Sequence, residues 1–291
     1  MKKLFVIALF SMVGVAGVYA NDNTVFVNPF IGTQTDATGA LSGSTFPGAT
    51  MPQGMVQLSP ETENYVTWDP CSGYDYNKDK IYGFTHTHLS GTGCTDLFDV
   101  SLMPTTASIT PKELEKGEFP QTYSHDDEQA RPGYYMVRLQ ESGVKVELSV
   151  TTRAGIHRYT FPQGQQQTVV FDLDRSTFRG EAYYTGHRAY QIIQSQMRFV
   201  DDHTIEGYRV ITGWAKLRKV YFRAEFSRPI ASRLLMDGGR NAGKSDVVNG
   251  RSLRAALSFN ASDGTELMVR VAISPVVILE LPLPSATVKF F

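Results

Sequence analysis

The chain has 291 residues, of which 42% are hydrophobic and 20% are charged, and its formal net charge is −1. This composition excludes an intrinsically disordered chain, a collagen-like repeat and a disulfide-rich miniprotein. The balanced charge excludes the basic footprint of a nucleic-acid-binding protein. A chain of this length can bury a large core, either as one large β domain or as two average domains.

Residues 1–20 predict a secretory signal peptide. The positive start Met1-Lys2-Lys3 leads into an uncharged apolar run, which ends at the small-residue cleavage site Val18-Tyr19-Ala20. The run is too short to span a membrane, and an uncleaved anchor is the alternative interpretation. After cleavage we expect an exported protein without a membrane span. In an oxidising compartment Cys71 and Cys94 can pair, but two separate buried thiols fit the sequence equally well.

The first 110 residues of the mature chain are rich in Gly, Pro, Ser and Thr. Such a stretch is typical of ordered loops with short strands, and loops carry functional residues more often than cores do. Three clusters stand out within it, at residues 28–33, 45–60 and 68–94. Pro111–Lys116 predicts one helical turn with proline at its first position.

From Gly133 onward the sequence predicts antiparallel strands, with turn residues recurring about every 8–12 residues. Between 144 and 150, apolar residues alternate with Lys145, Glu147 and Ser149, which predicts one buried and one wet face. Strands are predicted at 134–139, 144–150, 156–161, 168–173, 191–200, 204–212, 219–226, 252–259 and 266–273. The last two are expected to form a hairpin. The pattern predicts an all-β antiparallel sandwich or barrel.

The third cluster allows two interpretations of its histidines. His86 and His88 are two residues apart, so on a strand they face the same side, and this is a common spacing of metal ligands. His125, Asp96 and Asp99 are the further ligands available to such a site. The alternative, which the sequence favours, is a pair of histidines that are hydrogen-bonded within a loop-rich wall.

A sugar site is the other chemistry that the third cluster suggests. Trp68 and Tyr74 offer flat apolar surfaces for the C–H face of a sugar, and Asp69, Asp75 and His88 offer partners for its hydroxyls. The run Gly91-Thr92-Gly93 lets the backbone approach a ligand closely. Core aromatics are an equally weighted alternative for Trp68 and Tyr74.

Carboxylate pairs for glycoside hydrolysis are poorly supported by the sequence. Asp172 and Asp174 share one face at the end of a strand, but a solvated strand end is the favoured interpretation. No catalytic residue and no metal ligand is therefore assigned in this chain.

Five stretches, in this order, resemble the N-terminal part of glycoside hydrolase family 92, whose members are secreted bacterial exo-acting α-mannosidases. They are VNPFIGT (27–33), FPGATMPQGMVQLSP (46–60), CSGYDY (71–76), GFTHTHLSGTGC (83–94) and LMPT (102–105). The likeness covers about residues 24–275. It implies one β-sandwich domain at 21–275, of the galactose-mutarotase-like supersandwich type, with a long loop-rich N-terminal segment.

The resemblance also implies a function. Family members cleave α-mannosidic bonds with inversion, require calcium, and place their acid and base carboxylates in a C-terminal helical domain, while the N-terminal domain completes the sugar pocket. It implies mannose-containing glycans of the N-glycan type as ligands and a periplasmic or cell-surface location in a Gram-negative bacterium. The pocket residues carried over by position are Phe30, Gly32 and Thr33 near the terminal sugar, Trp68 as a wall of the leaving-group subsite, and His86, His88, Gly91, Thr92, Gly93 and Cys94 as pocket lining.

The tail at 276–291 departs from the family pattern. It is apolar, contains two prolines and lacks helical periodicity, where the family begins a polar linker and a helix. We interpret it as a frame-shifted end that leaves the calcium-binding, carboxylate-bearing helical domain missing. The sequence thus predicts the sugar-pocket half of an α-mannosidase, inactive alone. A free-standing carbohydrate-binding module and a metal enzyme built on His86 and His88 are the alternatives.

Overall fold

A computed structural model describes residues 23–36, 38, 43–63, 71–93, 96–175 and 191–276. The predicted signal peptide, Trp68, Cys94 and the tail from residue 277 onward lie outside the described residues. Within the described part, no helix has the length and hydrophobicity needed to cross a membrane.

Nearly all of the regular secondary structure in the described chain is β-strand. In chain order these are β1 (Ala49–Thr50), β2 (Gln57–Glu61), β3 (Lys80–Ile81), β4 (Gly83–Thr85), β5 (Ser101–Thr105), β6 (Gln121–Thr122), β7 (Glu128–Arg131), β8 (Tyr134–Arg138), β9 (Lys145–Val150), β10 (Ala154–Thr160), β11 (Gln167–Asp172), β12 (Ile192–Phe199), β13 (Thr204–Ile211), β14 (Arg218–Phe226), β15 (Ser232–Asp237), β16 (Arg240–Asn241), β17 (Val247–Gly250), β18 (Leu253–Phe259) and β19 (Glu266–Ser274). The helix α1 spans Pro111–Lys116, and 3₁₀ turns span Asn23–Phe26, His125–Asp127 and Ala261–Asp263.

Two large antiparallel sheets enclose the core. One has the order β1-β2-β4-β5-β11-β18-β15-β16 and the other β17-β12-β13-β14-β19-β10-β9-β8-β7, while β3 and β6 form a small separate ribbon. Aromatic side chains from the two sheets meet between them, with ring centroids 5.2 Å apart for Phe171 and Phe222 and 5.5 Å apart for Phe226 and Phe259. Each such ring contributes about 1.5–3 kcal/mol through burial of apolar surface.

The prediction of an all-β antiparallel sandwich is confirmed. Each of the nine predicted strands is present in nearly the predicted place, from β8 to β14 and then as β18 and β19. The strands that the sequence missed are short and mostly precede residue 132. They include β5, in which every residue is buried, so that no alternation of polar and apolar residues marks it.

The predicted hairpin between the last two strands is wrong. β18 pairs with β11 and β15 in the eight-stranded sheet, whereas β19 pairs with β10 and β14 in the nine-stranded sheet. The 3₁₀ turn Ala261–Asp263 carries the chain from one sheet to the other. Both strands turn apolar side chains toward the same core, so alternation alone cannot distinguish a hairpin from a crossover between facing sheets.

The wet face predicted for β9 is also wrong. Glu147 is buried, and its carboxylate accepts hydrogen bonds from the Tyr134 hydroxyl at 2.9 Å and from Arg158 Nε at 2.8 Å. The polar side of β9 therefore contains a buried ion pair. The Arg158 guanidinium and the Tyr134 phenol take the place of water around the Glu147 carboxylate.

Helix α1 has caps that fix both of its ends, and its position confirms the predicted helical turn. The backbone N–H of Thr110 donates to Glu113 Oε2 at 2.8 Å, while the N–H of Glu113 donates to Thr110 Oγ1 at 3.3 Å, which is a capping box. Gly117 ends the helix with a φ of 68°. A Cβ at this position would overlap the guanidinium of Arg254, so both conformation and space require glycine.

Arg254 is almost fully buried and joins α1 to the end of β11. Its Nε donates to Asp172 Oδ2 at 2.9 Å, its Nη1 donates to the Glu115 carbonyl at 3.1 Å, and its Nη2 pairs with Asp174. The interpretation of Asp172 and Asp174 as a solvated strand end is therefore wrong. Both carboxylates serve to neutralise one buried arginine.

Replacing Arg254 with methionine is expected to lower the free energy of unfolding by about 3–5 kcal/mol, because the buried Asp172 and the partly buried Asp174 lose their shared cation. Burial already raises the pKa of Asp174 to about 6 even with Arg254 opposing the shift. The loss should therefore be smaller at pH 5, where Asp174 is largely protonated, than at pH 7, where it is charged. Urea denaturation at the two pH values measures it. Arg251→Met, at an exposed position nearby, is the control, and equal effects of the two substitutions would contradict the role of Arg254.

Candidate functional site

The cluster at residues 28–33 forms one wall of an open cavity of about 830 Å³. Phe30 supplies an aromatic surface, and the other lining groups are mostly polar. The lining residues are Asn28, Phe30, Ile31, Gly32, Gln34, Thr35, Asp36 and Asn77. The cavity thus combines one aromatic ring with three side-chain amides, a hydroxyl and a carboxylate.

A tight turn holds Phe30 and Gly32 in the cavity wall. The Phe30 N–H donates to Asn28 Oδ1 at 3.0 Å, and the Thr33 hydroxyl donates to the Phe30 carbonyl at 2.8 Å. Thr33 itself is buried, and its carbonyl accepts from the Tyr76 N–H at 3.0 Å. Of the three residues carried over from this motif, Phe30 and Gly32 line the cavity, and Thr33 supports the turn from behind.

The opposite side of the cavity is built around Asp75. Its carboxylate accepts from the Thr35 hydroxyl at 2.8 Å and from the Asn77 N–H at 2.9 Å. The Asn77 amide in turn donates to the Thr35 carbonyl at 2.7 Å and accepts from Gln34 Nε2 at 2.8 Å. Asp75 is buried, so its negative charge orders these loops and does not face the cavity directly.

An aromatic stack supports Phe30 from inside. The rings of Phe30 and Tyr76 meet edge to face with centroids 5.6 Å apart, and Tyr76 stacks on His125 at 3.7 Å with an interplanar angle of 5°. His125 Nε2 donates to the Tyr76 carbonyl at 2.7 Å, and its Nδ1 lies 2.6 Å from Glu128 Oε2. Phe30 is therefore held by a continuous series of ring contacts that ends on a buried carboxylate.

Glu128 is the buried end of that series. Its carboxylate accepts from the hydroxyls of Tyr74 at 3.0 Å and Tyr135 at 2.6 Å. Burial raises the pKa of Glu128, although the hydrogen bonds from Tyr135, His125 and Tyr74 oppose the shift. The Tyr74 ring is fully buried, so the core interpretation holds for Tyr74 and its ring offers no surface to a sugar.

His86 lies in the core between the two sheets. Its Nδ1 donates to the Val100 carbonyl at 2.7 Å, and its Nε2 accepts from Nε2 of His157 at 3.1 Å. The Tyr159 hydroxyl donates to His157 Nδ1 at 2.8 Å and completes the series. Burial lowers the pKa of His86 to about 4 and lowers the pKa of His157 well below its usual value, so both rings are neutral.

His88 is also buried, and it connects the loops behind the cavity. Its Nδ1 donates to the Ser72 carbonyl at 2.8 Å, and its Nε2 accepts from the Thr85 hydroxyl at 2.9 Å. The Ser72 hydroxyl donates to the Thr45 carbonyl at 3.0 Å. Burial lowers the pKa of His88, which agrees with a neutral ring that has one donor and one acceptor.

The glycine-rich loop after His88 contacts the same loops at the surface. The Gly91 N–H donates to the Ser44 carbonyl at 2.8 Å, and Thr92 Oγ1 lies 3.7 Å from the sulfur of Cys71. Gly91, Thr92 and Gly93 are partly or fully exposed. A pairing of Cys71 with Cys94, and contacts of Trp68, fall outside the described residues.

The hydrogen bonds of His86 and His88 do not favour metal binding by this pair. The described residues contain no group of three or more His, Cys, Asp or Glu side chains that could hold a metal ion. The further ligands suggested by the sequence are engaged elsewhere, with Asp99 paired to Arg209 and Arg218 and His125 bonded to Glu128. The bonding of His86 and His88 matches the hydrogen-bonded wall that the sequence favoured.

Comparison with known proteins identifies the family. The model of the glycosyl hydrolase family 92 N-terminal domain matches residues 26–274, so the chain belongs to glycoside hydrolase family 92. A family 92 α-mannosidase from Bacteroides thetaiotaomicron is 34% identical with a TM-score of 0.74, and the match covers 87% of this chain and 33% of that chain. The same enzyme has been solved in complex with mannoimidazole, at the same identity and TM-score and with 87% and 32% covered.

A second relative from the same organism is described as an inverting family 92 mannosidase. It is 25% identical with a TM-score of 0.66, and the match covers 87% of this chain and 31% of that chain. The chain thus spans about a third of the length of these relatives. No curated protein sequence matches the chain.

The sequence did not indicate the polar lining of the cavity. Gln34 and Asn77 meet there through a hydrogen bond between loops about 40 residues apart, for which a single sequence carries no periodic signal. Only the repeated short polar residues around the NPFIGT motif (28–33) could have indicated this polar lining from the sequence.

The buried histidines predict a specific dependence of stability on pH. As pH falls from about 6.5 toward 4 the unfolded chain binds protons that His86 and His157 in the folded state do not, so the free energy of unfolding decreases by up to about 1.4 kcal/mol per pH unit for each histidine. His157→Gln keeps an N–H donor for His86. It should reduce the slope of the free energy of unfolding against pH by the contribution of one histidine.

Urea denaturation at several pH values between 4.5 and 7, set about half a unit apart, measures the slope. His203→Gln removes a histidine whose side chain is 43% exposed and serves as the control. An unchanged slope in His157→Gln would show that His157 is not held neutral in the core.

Proposed function

We propose that this chain is the sugar-binding N-terminal domain of an exo-acting α-mannosidase of the inverting type. Family membership supports the enzyme class, and two relatives are described as an α-mannosidase bound to mannoimidazole and as an inverting mannosidase. The observation that carries the proposal is the cavity beside Phe30, because it is built from the same motif on which the family likeness rests. The ligand in this proposal is the terminal mannose of an N-glycan type glycan.

The lining of the cavity suits a sugar. The Phe30 ring offers an apolar face for the C–H groups of a pyranose, and the amides of Asn28, Gln34 and Asn77 can exchange hydrogen bonds with its hydroxyls. The hydrogen bonds around Asp75 and Thr33 fix these groups before any ligand arrives, which lowers the entropic cost of binding.

The catalytic carboxylates are proposed to come from a C-terminal helical domain. An inverting glycosidase needs an acid and a base about 6.5–9.5 Å apart, with room for water between them. Among the described residues that line the cavity, Asp36 alone carries a carboxylate. The buried carboxylates Glu147 and Asp172 are each paired with an arginine, which makes them unsuitable as partners.

Calcium dependence is part of this proposal for the complete enzyme. The described residues do not fit a calcium site by themselves, since they contain no suitable group of three ligands. We therefore expect its ligands mainly in the helical domain and derive no step through the ion. Export to the periplasm or cell surface, supported by the signal-like residues 1–20, places the enzyme where it would meet glycans.

Binding of mannose to this chain tests the proposal. Titration followed by NMR chemical shifts should show saturable binding, and Phe30→Ala should weaken it by about tenfold, the effect of losing roughly 1.4 kcal/mol of aromatic contact. Phe26→Ala removes an aromatic ring that is 84% exposed and does not line the cavity, and is the matched control. Equal affinities of wild type and Phe30→Ala would contradict a sugar site beside Phe30.

Turnover is a separate test of where the carboxylates lie. The purified chain, incubated with α-1,2-mannobiose and calcium, is expected to release no mannose, because Asp36 is the one carboxylate among the described residues that line the cavity. Product analysis by chromatography measures this. Hydrolysis that disappears in Asp36→Asn would refute the assignment of the acid and base to another domain.

A further inference from the structure

His125 has a hydrogen-bond acceptor beside each of its two ring nitrogens. Nε2 lies 2.7 Å from the Tyr76 carbonyl, and Nδ1 lies 2.6 Å from Glu128 Oε2. A carbonyl oxygen has no proton to give, so Nε2 must carry one. A neutral imidazole has a single N–H, which then leaves the lone pair of Nδ1 aimed at the Glu128 oxygen. The contact at 2.6 Å therefore requires one further proton between His125 and Glu128.

Two phenols occupy the remaining sites of the Glu128 carboxylate. The Tyr74 hydroxyl lies 3.0 Å from both carboxylate oxygens, and the Tyr135 hydroxyl lies 2.6 Å from Oε1. Burial and the charge of Glu128 raise the pKa of both phenols, so they stay protonated and act as donors. Burial also raises the pKa of Glu128, which favours a proton on the pair. The further proton therefore belongs to the side of Glu128 that faces His125.

Four further carboxylates lie on the two segments that hold this pair. They are Asp75, Asp79, Asp126 and Asp127. The charges of the first two act on Tyr123, which packs edge-on against His125 with ring centroids 5.3 Å apart. Lys78, on the same segment as Tyr76, is paired with Glu63 at 2.8 Å. Negative charges favour the protonated form of their neighbours, so these aspartates stabilise a proton on the pair.

Tyr76 connects this pair to the cavity. The His125 ring stacks on the Tyr76 ring with centroids 3.7 Å apart, and the Tyr76 ring meets Phe30 edge to face at 5.6 Å. The face of a tyrosine attracts a cation, so a protonated imidazole strengthens this stack. The Tyr76 N–H also donates to the Thr33 carbonyl, and the next residue, Asn77, lines the cavity. Moving Tyr76 would therefore disturb two sides of the cavity.

We propose that one proton, shared between His125 and Glu128, holds the Phe30 wall of the cavity in place and makes mannose binding dependent on pH. Both are positioning residues, because they act on the ligand through Tyr76 and Phe30. When the proton is lost to solvent at high pH, a lone pair of the His125 ring faces an acceptor oxygen, which repels the ring and loosens the stack. The inference rests on the proposed function, because it takes mannose as the ligand of the cavity.

The affinity for mannose as a function of pH is the first test. Titrations followed by NMR chemical shifts, made from about pH 6 to about pH 9, should give a constant affinity at the lower end and a weaker one at the upper end. We expect the affinity to fall by about fivefold, which is part of the effect of losing the Phe30 contact. Mannose has no group that titrates in this range, so the change reports on the protein.

Glu128→Gln separates the charge of the pair from its shape. The glutamine amide can donate to Nδ1 of a neutral His125, whose Nε2–H still donates to the Tyr76 carbonyl, and the amide oxygen can accept from the two phenols. The affinity of this variant for mannose should no longer change with pH. His203→Gln removes a histidine that is 43% exposed and does not line the cavity. It is the matched control and should keep the wild-type dependence on pH.

The ring signals of His125 give a readout that needs no sugar. Their NMR chemical shifts follow the protonation of the pair, and His125→Phe assigns them by their absence. In the wild type they should change above pH 7, with the same midpoint as the affinity for mannose. Circular dichroism verifies that each variant is folded, and the wild-type ring signals decide the outcome where Glu128→Gln does not fold.

The possible outcomes separate the inference from the function on which it rests. If wild type binds mannose equally tightly at every pH, the inference is overturned and the proposed function stands. If Glu128→Gln keeps the wild-type dependence on pH, or the His125 ring changes at another pH than the affinity does, a different group controls binding and the inference is again overturned. If wild type binds no mannose at any pH, the proposed function fails and the inference fails with it.

Discussion

The hydrogen bond between His157 and His86 joins the two sheets at the point where the site-bearing segment leaves the sandwich. His157 lies on β10 of the nine-stranded sheet, and His86 directly follows β4 of the eight-stranded sheet. Gly155 makes this approach possible, because a Cβ there would overlap the His86 ring. Each ring has one donor and one acceptor satisfied inside the protein, so the contact is stable only while both rings are neutral.

This contact defines how the loops of the site are held. The segment from His86 to Gly93 starts from a fixed point in the core and bonds in turn to the loops that carry Ser72 and Ser44. Loops buried beneath other loops must satisfy their backbone groups locally, and in this domain histidine, serine and threonine side chains do so. The result is a cavity whose shape is set by the protein before a ligand binds.

The sequence predicts the central strands well because their burial alternates or runs continuously over six residues or more, as in β11 and β14. It fails where the deciding partner is remote. The residues near Asp172 and Asp174 give no sign of Arg254, which lies about 80 residues later in the chain. In the fold, Arg254 pairs with both carboxylates and replaces the solvated strand end that the sequence predicted. Phe30 and Asn77 differ in the same way. A motif marks Phe30 in the sequence, whereas only the folded loops bring Asn77 to the cavity.

The position of β19 has a consequence for how the domain is made. This strand, the last of the described fold, lies in the interior of the nine-stranded sheet between β10 and β14. During synthesis the two flanking strands therefore have no partner on that side until residues 266–274 have left the ribosome. Their exposed backbone edges would meanwhile be open to pairing with other chains, so a nascent chain of this domain has particular need of chaperones that shield unpaired strands.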